Sequence, residues 1–154
     1  MIVSEELLNS EYASSLSTFS PAFTGSEARI HVGEPAAEAV EALVRSRFKV
    51  VTKQMVKGSG SDDFFHAVTT SALHDRLVMR PRITLVESVA RPAQYNIELG
   101  ITVDTAGLSV HVTPTGSGTG TASVYTRAAI QKAADEALSA AVAAIASRFP
   151  ATCK

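Results

Sequence analysis

Asp62, Asp63, His66, His74 and Asp75 are the residues whose types and spacing could most readily do chemistry. They fall on a stretch that reads as a helix capped by Ser61, with Phe65, Val68, Ala72, Leu73 and Leu77 at helical spacing and Pro81 as its stop. One helical turn separates Asp62 or Asp63 from His66, so a carboxylate and an imidazole could share a cation or a proton. His66 and His74 cannot ligate one ion together. Eight residues of helix rise about 12 Å, whereas zinc ligands sit about 2 Å from the metal. The sequence names no third ligand, so no catalytic, metal or cofactor residue is assigned. The Asp pair also has a simpler role, since carboxylates in a first turn complement the positive helix end.

Other motifs fail in detail. GSGTGTAS, with Gly116, Gly118 and Gly120, precedes a helix as a phosphate loop would, but Thr121 stands where a dinucleotide fingerprint needs its third glycine. No Walker lysine follows, and Lys57-Gly58-Ser59-Gly60 fails likewise, so both stretches are expected as flexible hairpin loops. There is no G-x-S-x-G elbow, and Cys153, the single cysteine, has no evident histidine partner. His31 and His111 fall on the polar side of strand alternations, the ordinary place for an exposed sheet histidine. Arg76, Arg80, Arg82 and Arg91 could form a small anion patch, but solvated arginines at a helix-to-strand junction explain them as well.

The elements that would position these residues follow from periodicity. Between Thr126 and Phe149 the residues Ile130, Ala134, Ala137, Leu138, Ala141, Ile145 and Phe149 recur on one face, and alanine loses no rotamer freedom in a helix. A face of such small side chains needs a flat partner that comes close, which a sheet supplies. Thr126 suits the N-cap and Pro150 the stop. A second helix runs from Glu34 and Pro35 to Phe48, buried through Ala36, Val40, Leu43, Val44 and Phe48. Strands are expected at Ala28–Val32, from Phe48 to Val56, around Ile83, Leu85 and Val89, and at Tyr95–Val103. The last alternates with Asn96, Glu98 and Thr102 on a wet face, the antiparallel pattern. Leu108, Val110 and Val112 return the chain, with Ser109, His111 and Thr113 on their polar side.

Composition sets the outer bounds. A chain of 154 residues, 45% hydrophobic and 19% charged, is long enough to bury one core and too apolar to be disordered. A net charge of -1 excludes a nucleic-acid binder held mainly by phosphate contacts. No apolar run approaches the ~20 residues of a membrane-spanning helix. The expected organisation is a polar, serine-rich N-terminal arm over 1–22 and a single α+β domain over 23–154. That domain is expected as a mainly antiparallel sheet with the two alanine-rich helices on one face, plus the third helix.

VGEPAAEAVEALVRSRFKVV, AQYNIELGITVD and YTRAAIQKAADEALSAAVAAI carry a resemblance that spans most of the chain from about Ala28 onward. In hydrophobic pattern the chain resembles the soluble domains of small Gram-negative envelope lipoproteins, the YajG-like and secretion- or transport-associated kinds. The resemblance implies a non-enzymatic periplasmic domain associated with the outer membrane, working through protein contacts or self-assembly in envelope biogenesis or transport, without cofactor or nucleic acid. It implies membrane attachment only through a lipid anchor lying outside this chain, which has no lipobox cysteine. It carries no functional residue across. The alternative expectation is a metal-binding protein or small enzyme using Asp62, Asp63 and His66.

Overall fold

The computed structural model describes residues 1–14, 28–48, 51–57, 75–78, 84–88, 92–105, 110–112 and 114–148. The chain combines helices and strands in the α+β manner. In order it runs β1 (Ile2–Ser4), α1 (Glu5–Leu8), β2 (Glu11–Ser14), β3 (Ala28–His31), α2 (Gly33–Arg47) and β4 (Gln54–Val56). Then follow β5 (Asp75–Val78), β6 (Thr84–Ser88), β7 (Ala93–Gly100), β8 (Thr102–Thr105), β9 (Val110–Val112), β10 (Thr115–Ala122) and α3 (Arg127–Arg148).

Three ladders form among the described residues, in the orders β4-β1-β5-β8-β9, β10-β7-β6 and β2-β3. Strand β1 pairs in parallel with β4 and β5, and the other pairings are antiparallel. The expected strand through Tyr95–Val103 is divided. Its residues to Gly100 join β10 and β6, whereas Thr102 onward joins β5 and β9, and the Ile101 N–H between them donates to the carbonyl of Pro114 at 3.1 Å. The β8–β9 hairpin keeps the expected return, with Val103 opposite Val112.

Two further expectations are corrected. The first 14 residues are not an arm lying on the body. Val3 and Leu7 are fully buried, β1 sits between two strands, and Ser4 caps α1 by accepting from the Leu7 N–H at 3.2 Å. The third helix cannot run to Pro81, because Asp75–Val78 is strand β5, in register with Thr102–Thr105. β-branched and apolar residues there satisfy a sheet as readily as a helix, and sheet neighbours on both sides decide.

Helix α3 organises the core. Its buried face is Ile130, Ala133, Ala134, Ala137, Leu138, Ala141 and Ile145. Thr126 caps it, the hydroxyl accepting from the Ala129 N–H at 3.3 Å and the carbonyl from Ile130 at 2.9 Å. The helix packs on β10 and β7, whose inward residues Ala93, Tyr95, Ile97 and Leu99 are buried. Full burial of a side chain such as Ile130 or Ile145 contributes about 1.5–3 kcal/mol.

Helix α2 lies beside α3 with both chains running the same way. At one end Gln131 bonds to His31, just before α2; at the other the Arg47 guanidinium donates to the Ala146 carbonyl at 3.4 Å. The two helix ends at Ser46-Arg47 and Ser147-Arg148 therefore lie at the same end of the helix pair. Each Arg sits where a cation complements the negative end of a helix. Gly33, in the first turn of α2, is needed for close approach, since a Cβ there would stand 1.7 Å from the Leu7 carbonyl oxygen.

A candidate protein-contact face on β7 and β10

The glycine-rich stretch expected as a loop is strand β10, paired along its whole length with β7 from Thr115 opposite Gly100 to Ala122 opposite Ala93. Residues two apart share a face, so Gly116, Gly118 and Gly120 all turn towards α3. A Cβ at Gly120 would lie 1.7 Å from the Ala133 carbonyl oxygen, at Gly118 1.9 Å from that of Ala137, and at Gly116 2.0 Å from that of Ala141. The match is metric. Two strand residues advance about 6.6 Å, and four helix residues about 6 Å, so each glycine meets the next alanine along α3. The strand backbone thus rests directly on the helix backbone, with no side chain between.

The consequence is an outer face of unusual regularity. Ser117, Thr119 and Thr121 of β10 stand exposed opposite Glu98, Asn96 and Gln94 of β7. The Thr119 hydroxyl donates to the Asn96 carboxamide oxygen at 2.6 Å. This face carries hydroxyls, carboxamides and one carboxylate, groups that donate and accept hydrogen bonds without bringing in a strong field. At one end of it Glu98, Ser117, Thr115 and Arg148 border a cavity of about 240 Å³ that opens to solvent. Arg148 is fixed there by donating to the Thr115 carbonyl at 3.0 Å.

Three other polar constellations are structural in geometry. On the β2–β3 ladder Glu11 is bridged by Arg29 at 3.1 Å and by His31 at 3.0 Å, all solvent-accessible. Gln131 offers its carboxamide to the backbone of His31, accepting from N–H and donating to C=O at 3.0 Å each, and donates also to Asp135 at 2.9 Å. Near the chain start, Lys53 and Arg45 sit 2.9 and 2.7 Å from Glu41 and hold its carboxyl below the usual carboxylate range. Partial burial lowers the Met1 ammonium below its ordinary value while it donates to the Thr52 carbonyl.

Of the residues singled out by sequence, Asp62, Asp63, His66 and His74, with Arg80, Arg82 and Arg91, lie outside the described residues. Asp75 opens β5 rather than continuing a helix. His31 and His111 are not brought together: His31 pairs with Glu11 on one ladder, and His111 lies on β9 of another, in register with Asp104. Asp104 is itself in register with Arg76, so Arg76, Asp104 and His111 form one row across three strands. Sequence reasoning missed that row because the register linking β5 to β8 is not local. Among the described residues no group of three or more His, Cys, Asp or Glu side chains could hold a metal ion. No helix of the described residues is long and apolar enough to cross a membrane. The chain matches no protein-family model, no curated protein and no solved structure.

Proposed function

We propose that this chain is a non-enzymatic, envelope-associated domain of the periplasmic-lipoprotein kind, acting through protein–protein contacts or self-assembly in envelope biogenesis or transport. The observation that carries the contact role is the outer face of β7 and β10. There Gln94, Asn96, Glu98, Ser117, Thr119 and Thr121 form a flat polar array on a sheet whose inner face is locked to α3. Short hydroxyl and carboxamide side chains on a rigid backbone lose little freedom when a partner covers them. The envelope setting is supported by the resemblance in hydrophobic pattern alone. For the finer architecture we read α2 and α3 as one layer over a mainly antiparallel set of strands, on the ground that α3 packs on β10, β7 and β3 and α2 packs on α3.

Photo-crosslinking in the Gram-negative host tests this reading. A crosslinking amino acid at Gln94 or Thr121 is expected to give discrete protein adducts in the periplasmic or outer-membrane fraction, and one at the exposed Glu38 of α2 is not. Residence in the cytoplasmic fraction, or the same adduct pattern from all three positions, would overturn it.

A further inference from the structure

We propose that the edge of β10 left without a strand partner among the described residues pairs antiparallel with β10 of a second copy of this chain, joining two β6–β7–β10 ladders into one sheet across a two-fold axis. The inference rests on the reading above of a protein-contact domain and names its partner.

Strand β10 ends its ladder, with β7 as its one strand partner among the described residues. Its eight residues, TGSGTGTA, contain no charge and no proline, and the register with β7 runs without a bulge. Charges, prolines and bulges are the devices that keep sheet edges from pairing, and this strand has none of them. Strand β3 shows the contrast. Beside β2, its backbone at His31 is occupied by the Gln131 carboxamide, which makes both bonds that a neighbouring strand would make. The β4 strand is flanked by Lys53 and Lys57. The β10 edge is capped at its first residue, where Arg148 donates to the Thr115 carbonyl, and from Ser117 to Thr121 it has neither cap nor charge among the described residues.

The occupant follows from charge and symmetry. In an isologous contact the same strand is presented by both copies, so a strand of one charge sign would repel itself; a neutral one does not. Antiparallel neighbours that face each other share a side of the sheet. Setting Gly118 opposite its own counterpart therefore places Ser117 opposite the counterpart of Thr119, and Thr115 opposite that of Thr121. Hydroxyls meet hydroxyls on the outer side, and glycines stay on the helix side. The helix allows this. The flank of α3 turned away from Leu138 and Ile145 carries Ala140, Ala143 and Ser147, exposed and small, with the exposed Glu136 one turn before Ala140, so a second α3 can lie close only over the stretch from Ala140 to Ser147.

Sedimentation velocity of the full chain, from low to high micromolar concentration, tests the proposal. Wild type is expected to shift to dimer as concentration rises. Ser117→Lys with Thr119→Lys places like charges across the axis and is expected to leave a monomer with unchanged circular dichroism. Ser117→Glu with Thr119→Glu is expected to do the same, and an equimolar mixture of the two variants to recover the dimer. A wild type that stays monomeric, or a dimer indifferent to both charge pairs, overturns the proposal. If that monomer still gives outer-face adducts in cells, the contact-domain reading survives this failure; if it gives none, both fall.

Discussion

Replacing Gly118 with alanine puts the backbone-on-backbone contact of β10 and α3 to a test of sign. Were the strand free on that side, alanine would stabilise it by about 0.5–1 kcal/mol, because glycine loses more conformational freedom on folding. The structure requires the reverse. The new Cβ would lie 1.9 Å from the Ala137 carbonyl oxygen, 2.6 Å from the Ala141 nitrogen and 2.8 Å from the Ala140 Cβ. Two of those three atoms are backbone, so no side-chain rotation relieves the clash. Strand and helix must part by at least about 1 Å, and a gap of that size forfeits a quarter to a half of each dispersion contact along the interface. Overpacking of this kind costs about 1–3 kcal/mol or more, and with the interface of Ala133, Ala137, Ala141 and Ile145 strained together the upper end applies. The expected net loss is about 2 kcal/mol or more, read from the urea midpoint with the slope unchanged. Thr119→Ala on the opposite face is the control and should move stability by less than about 0.5–1 kcal/mol. A Gly118→Ala protein as stable as wild type, or more so, would refute the contact.

Three further outcomes follow from other contacts. Gln131→Ala removes two hydrogen bonds to His31 that water can partly replace, and should cost about 1 kcal/mol in chemical denaturation. For Glu41 the folded carboxyl titrates below its unfolded value of 4.5, so its contribution to stability is fully present above that value and lost as pH falls through the folded one. Glu41→Gln should therefore flatten the acid limb of stability against pH below about 4.5, measured by thermal midpoint at stepped pH. Gly120→Ala, whose Cβ would stand 1.7 Å from the Ala133 carbonyl oxygen, should lower the midpoint at least as far as a single cavity-forming change at Ile145→Val, about 1 kcal/mol.

The two long helices were legible because their apolar positions recur at 3.6 residues and their ends carry punctuation: Pro35 in the first turn of α2, and Thr126 before α3. Strand β7 was legible from Tyr95, Ile97 and Leu99, each buried as its alternation requires. Strand β10 was not, because its inward positions hold glycine and alternation of apolar side chains is the usual signal. A period of two was still there in Thr-Gly-Ser-Gly-Thr-Gly-Thr, and alanines four apart at 133, 137 and 141 offered the matching surface. What sequence cannot show locally is that a helix backbone takes the place of the missing side chains. The same limit hid β1, three residues long and held between β4 and β5 by residues some 50 to 75 positions away. The contact face was half visible: Asn96, Glu98 and Thr102 stood out as a wet side. Thr102, however, belongs to a different ladder, and the β10 half of the face needed the strand to be recognised first.

Residue-resolved amide hydrogen exchange across Thr115–Ala122, measured at low and high protein concentration, tests the central claim most directly. A β10 strand locked between β7 and α3, with one edge open, predicts alternate amides protected at both concentrations. The intervening edge amides become protected only at the higher one. Fast exchange along the whole segment while Ala133–Ile145 stays protected would contradict the account, leaving the glycines in the loop that sequence alone suggested.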